Sequence, residues 1–136
     1  MKIAALERIQ KLRGEIDKCV EREAELRAAA EKTTSLLSGM PIATPSAYSR
    51  VEEYSLKIYQ IQETRRRLEF ALVAAKVDFS EYMTSTIENK NIRQVIRKRY
   101  FEGKSWRAIS AEMYYSTRQL LRFNREGLRR LEVFNS

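Results

Sequence analysis

Apolar residues recur along the first two thirds of the chain in alternating steps of three and four. One series runs Ile9, Leu12, Ile16, Cys19, Glu23, Leu26, Ala30, Thr33 and Leu37. A second runs Val51, Tyr54, Ile58, Ile61, Arg65, Leu68, Leu72, Ala75, Phe79 and Tyr82. Such steps put each series on one face of an α-helix, the seam of a coiled coil. Between them, SGMPIATPSAYS holds Gly39 and both prolines, Pro41 and Pro45, so the pattern predicts a loop over residues 39–49. Two helices joined by so short a connection fold back on each other, which predicts a long antiparallel hairpin over residues 1–83. Each seam contains one charge, Glu23 and Arg65, and both lie 21 positions from residue 44. At equal height they would pair with each other or turn to water, because a lone buried charge is strongly destabilising. Ile3, Leu6, Val20, Leu36, Tyr59, Phe70 and Val73 lie off the seam and need a further apolar surface. The C-terminal segment, a second copy of the chain, or both would supply it. A homodimer or higher homo-oligomer formed through the hairpin is the expectation. Cys19, on the seam, reads as a small core hydrophobe.

The polar stretch at residues 84–91 marks a change to shorter helices. Ile92, Val95, Ile96 and Tyr100 recur at helical spacing, and Gly103 can end that helix. Ser105 is a good N-cap before Trp106, Ile109 and Met113. A three-residue turn, residues 113–115, leads to Ser116, with Gln119 three places on in the form of a capping box. The following helix, residues 117–131, turns Leu120, Phe123, Leu128 and Leu131 inward. Its other face presents Thr117, Arg118, Leu121, Arg122, Arg125 and Arg129. The pattern thus predicts an all-α chain whose residues 86–136 form a helix-turn-helix domain.

Charge sharpens this division. Residues 1–85 carry 14 Lys+Arg against 13 Asp+Glu, whereas residues 86–136 carry 12 against 5. Nearly all of the net +8 belongs to the last third, which implies an anionic partner for that part alone. The chain has no His and one Cys. That excludes His-based triads and His-containing zinc sites, and it leaves no internal disulfide. Carboxylates occur in helical Glu/Lys/Arg contexts, without a Gly-rich phosphate loop or metal-ligand spacing, so neither an enzyme nor a cofactor is expected. The opening residues lack the apolar core of a signal peptide, and no apolar run is long enough to span a membrane. A soluble protein in the cytoplasm of a bacterial host is the expected setting.

The arginines at 118, 122, 125 and 129 form one stripe. A guanidinium grips phosphate or makes two hydrogen bonds to the O6 and N7 of guanine. In a helix-turn-helix the start of the second helix enters the major groove first. Thr117, Arg118, Gln119, Leu121 and Arg122 are therefore the candidate base readers. Lys104, Ser105, Arg107, Ser116, Arg125 and Arg129 are the candidate phosphate contacts, the two serines through backbone N–H groups at helix N-termini.

KSWRAISAEMYYSTRQLLRFNREGLRRL resembles region 4 of bacterial sigma factors (the sigma-70 type) and aligns with that pattern without a gap. Ser105, Ile109, Met113, Ser116 and Leu128-Arg129-Arg130-Leu131 fall on its recurrent positions. RYFEGKSWRAIS followed by YS is similar to small phage-encoded regulators of the ArpU and RinA type. The likeness covers about a third of the chain. It implies promoter recognition, and contact with RNA polymerase of the kind sigma region 4 makes. Tyr114 stands where that family's turn usually has Gly, a place that calls for a left-handed backbone. Arg118 replaces an acidic residue, which moves base preference away from the family's −35 element.

The expected function is a sequence-specific double-stranded-DNA-binding transcription regulator of phage or prophage type. Two alternatives share these features: a packaging component resembling a small terminase subunit, and a coiled-coil adaptor that grips RNA polymerase.

Overall fold

In the computed structural model, which describes residues 3–39 and 45–135, the chain is all-α. The helices are α1 (Ala4–Ser38), α2 (Pro45–Thr86), α3 (Lys90–Ile96), α4 (Trp106–Met113) and α5 (Thr117–Asn135). A π-helical turn, Arg97–Phe101, continues α3. No strand occurs among the described residues.

The boundaries follow local chemistry. Residues 45–49, expected in the loop, are helical instead: α2 starts on Pro45, whose fixed φ and missing N–H suit a first helical position. The rest of the expected loop, residues 40–44 with Pro41, lies outside the described residues. The polar break at 84–91 narrows to residues 87–89, because α2 persists to Thr86. Ile87 N still donates to Met83 O at 2.8 Å, and both side chains are buried. Asn89 then opens α3, its side chain accepting from Asn91 N and Ile92 N at 2.9 and 3.4 Å.

Contacts group the chain into two compact units, Met1–Arg13 with Ala71–Ser136, and Gly14–Phe70. This differs from the expected division at 83–86, and the first unit's core gives the reason. Ile3, Leu6 and Ile9 of the N-terminal segment and Phe79 and Met83 of α2 are buried in one cluster with Ile87, Ile92, Ile96, Phe101 and Leu131. Fully burying side chains of this size contributes about 1.5–3 kcal/mol each. Ile3 and Leu6, apolar but off the seam, thus find partners within the chain. Two polar contacts reinforce the same joint: Tyr82 Oη donates to Leu131 O at 2.8 Å, and Arg13 Nη2 to Glu102 O at 3.0 Å. A second cluster of Val95, Ile109 and Leu120 ties α3, α4 and α5 together. Phe123 packs against both clusters. Gly127 lets α5 approach α3 closely, since a Cβ there would meet Ile92 and Ile96.

In the unit Gly14–Phe70, Cys19 and Leu26 are buried, and the α2 seam residues Val51, Tyr54, Ile58, Ile61 and Leu68 are half-buried. Arg22 and Leu26 share one depression with Lys57, Gln60, Ile61 and Thr64, while Glu23 shares another with Gln62, Arg65, Arg66 and Glu69. Glu23 and Arg65 do come near each other, but each pairs along its own helix. Arg27 Nε donates to Glu23 at 3.1 Å, and Arg65 Nε donates to Glu69 at 2.9 Å. Pairs four residues apart on one helix need no matching of two chains' side-chain heights, and they win here.

Candidate nucleic-acid interface

α4 and α5 are joined by a turn that their end residues build. Ser105 Oγ accepts from Ala108 N at 3.2 Å and starts α4. Ser116 Oγ accepts from Gln119 N at 3.2 Å and starts α5. Between them Tyr114 has φ 60° and ψ 30°, a left-handed conformation that favours glycine. For an L-residue this costs on the order of 1–2 kcal/mol. Neighbours hold the turn: Tyr114 N donates to Ser110 O at 3.0 Å, and Ser110 Oγ donates to Tyr115 O at 2.5 Å. The Tyr115 ring meets Phe123 edge-on at 5.3 Å, and its hydroxyl accepts from Asn91 Nδ2 at 3.0 Å. Tyr114 itself projects into solvent, 92% exposed.

Residues of α5 sort by face as their spacing predicts. Leu120 and Leu131 are fully buried, with Phe123 and Leu128 packed beside them. Thr117, Arg118, Leu121, Arg122, Arg125 and Arg129 are exposed, and Gln119 is half-exposed at the rim. Arg122, Arg125 and Arg129 line one shallow depression of about 390 Å³ together with Glu126 and Arg130. Arg118 stands a turn earlier, beside the exposed side chains of Thr117 and Leu121, whose methyl groups suit contact with a thymine methyl.

The basic residues of the last third divide into engaged and free groups. Arg93 donates to Ile87 O and Glu88 O, holding the start of α3. Arg99 donates to Lys104 O and lies 4.9 Å over the Trp106 ring. Arg130 pairs with Glu126 at 2.9 Å. Lys104, expected to touch phosphate, is engaged as well: its Nζ lies 2.6 Å from Glu112 and 3.5 Å from Glu102, while Lys98 Nζ reaches Glu112 at 2.7 Å. The Glu112 hydrogen bond raises the Lys104 ammonium above its ordinary pKa. In turn Lys104, and then Lys98, hold the Glu112 carboxyl below the usual carboxylate range. By contrast, no ion pair among the described residues involves Arg107, Arg118, Arg122, Arg125 or Arg129, and all five are exposed.

Sequence spacing found the stripe but missed the Glu112 clamp. Glu112 lies eight residues from Lys104 and fourteen from Lys98, on another helix, where no local periodicity points to it. The one available signal was its rarity, since residues 86–136 contain only five acidic side chains.

No cluster of three or more potential metal-binding side chains occurs among the described residues, and none of their helices is long and apolar enough to cross a membrane. No protein-family model matches the chain, and no curated protein and no solved structure is significantly similar to it. The likeness to sigma region 4 accordingly stands on the residues quoted for it alone.

Proposed function

We propose that the protein is a sequence-specific double-stranded-DNA-binding regulator of transcription, of phage or prophage type, working in a bacterial cytoplasm with α5 in the major groove. One observation carries this reading: Arg118, Arg122, Arg125 and Arg129 are all exposed and free of ion pairs among the described residues, in a segment where Arg93, Arg99 and Arg130 have internal partners. Arginines kept for the chain's own stability would be engaged like those three. A bare, solvated stripe on the helix after a tight turn is suited to a polyanion.

In this reading Thr117, Arg118, Gln119, Leu121 and Arg122 face base edges, while Ser105, Arg107, Ser116, Arg125 and Arg129 face phosphates. Lys104 drops out of this reading, because its ammonium already has Glu112 and Glu102 as partners. Two copies would address two half-sites, and contact with RNA polymerase belongs to the sigma-like part of the reading.

The test is selection of bound fragments from random duplexes, followed by competition with Arg118→Ala. A base-reading guanidinium should carry about 1–3 kcal/mol of discrimination at one base position. Unchanged affinity and unchanged sequence preference in that variant would remove Arg118 from the site.

A further inference from the structure

α2 carries a second apolar series on the side opposite its seam. Leu56, Tyr59 and Phe70 are 57%, 60% and 78% exposed. With Glu63 and Arg66 between them, these residues recur in steps of three and four, as a coiled-coil seam does. The outer side of a helix pair is ordinarily polar. Here Leu56, Tyr59 and Phe70 flank an ion pair in which Arg66 Nη1 meets Glu63 Oε1 at 2.8 Å.

We propose that this face of α2 binds the same face of a second copy, antiparallel, about a two-fold axis passing between residues 64 and 65. The argument is self-complementarity. Reversing the series about that point lays Tyr59 against the partner's Phe70 and Glu63 against the partner's Arg66. Apolar meets apolar, and each charge meets its opposite. Moving the axis by half a heptad in either direction sets Arg66 against the partner's Phe70 or Leu56, leaving charges buried on apolar groups. A parallel pair would stack Glu63 on the partner's Glu63 and Arg66 on the partner's Arg66. Of these arrangements only the first pairs Tyr59 with Phe70 and Glu63 with Arg66, and it is the isologous contact that closes as a dimer. At their observed exposures, Tyr59 and Phe70 leave roughly 270 Å² uncovered per copy if each ring buries about 200 Å² in full. Four rings then supply a little under half of the roughly 1,200 Å² that a stable interface buries.

This goes beyond the DNA-binding reading and stands apart from it, since none of these residues belongs to α4 or α5. The experiment is the mass of the full chain by sedimentation equilibrium across a concentration series, with helicity checked by circular dichroism. The wild type should dimerise, and Phe70→Glu should weaken the dimer at least about ten-fold with helicity unchanged. Glu63→Arg and Arg66→Glu should each weaken it, and the double reversal should restore it. In a parallel dimer the single reversals exchange one like-charge contact for another and change little. A monomeric wild type, a dimer indifferent to Phe70→Glu, or a double reversal no better than the singles would each overturn the proposal. Fragment selection on the monomeric Phe70→Glu protein separates the two readings, because a single α5 should still select a half-site.

Discussion

Raising salt should weaken DNA binding with a slope set by how many cations the fold leaves free. The candidate phosphate contacts with side-chain charge are Lys104, Arg107, Arg125 and Arg129. The proposed reading leaves Lys104 out of this count, since its ammonium is held between Glu112 and Glu102 at 2.6 and 3.5 Å. Three remain per copy. Each neutralised phosphate contributes about −0.9 to the slope of log K against log salt, so one copy should show roughly −2.7, and affinity should fall about 40-fold over a four-fold rise in salt. Arg129→Ala should flatten the slope by about 0.9 per copy, whereas Lys104→Ala should leave it nearly where it was. Glu112→Gln works in the opposite sense: it leaves Lys104 only Glu102, at 3.5 Å, and should steepen the slope by up to about 0.9. Fluorescence anisotropy on one labelled duplex, titrated at several salt concentrations, reads all four proteins. If Lys104→Ala flattened the slope as much as Arg129→Ala, or if Arg129→Ala did nothing, the sorting of free from engaged cations would be refuted.

Two further outcomes follow from the same interior. Gly127→Ala would place a Cβ 2.5 Å from Ile96 Cδ1 and 2.7 Å from Ile92 Cγ2. Overpacking of about 1–3 kcal/mol against a helix-propensity gain of about 0.5–1 leaves a net loss near 1–2 kcal/mol, to be read from urea unfolding. The Glu112 clamp gives stability a pH dependence with two edges. The lowered carboxyl stabilises the fold above the ordinary carboxylate pKa, and that contribution is lost as pH falls through the depressed value. The raised Lys104 ammonium contributes below its ordinary pKa and loses its part as pH rises through the elevated value. Both groups are solvent-exposed, so the effects should be small. Glu112→Gln should erase the acid edge in stability measured against pH, and an unaltered acid edge would assign it to other carboxylates.

Much of α4, the turn and α5 was legible because local rules govern it. Ser105 and Ser116 cap their helices through hydrogen bonds spanning three residues, and Tyr114 takes the backbone conformation its position demands. The burial of Leu120 and Leu131 and the exposure of the arginines follow from a 3.6-residue period. The long helices were legible as helices for the same reason. Contacts between distant residues were not. Periodicity flagged Ile3 and Leu6 as surplus apolar residues but could not say that Ile87, Ile96 and Leu131 enclose them. The seam charges show a misjudged competition: Glu23 with Arg27 and Arg65 with Glu69 were visible four residues apart, and those local pairs prevailed. The π-helical turn at Arg97–Phe101 had no sequence signal at all.

The enclosure of Ile3 and Leu131 in one cluster has a kinetic meaning. Contacts so far apart in sequence must wait for loop closure, whose entropic penalty falls before any packing offsets it. The footing of α5 should therefore form after local helices, which urea-jump refolding of Leu131→Ala would test by a loss of stability expressed mainly in the unfolding rate. Excising residues 86–136 would strip Ile87, Ile92 and Ile96 of the cover shared with Ile3, Leu6, Ile9, Phe79 and Met83, so the arginine-bearing helix would lose part of the core beneath it.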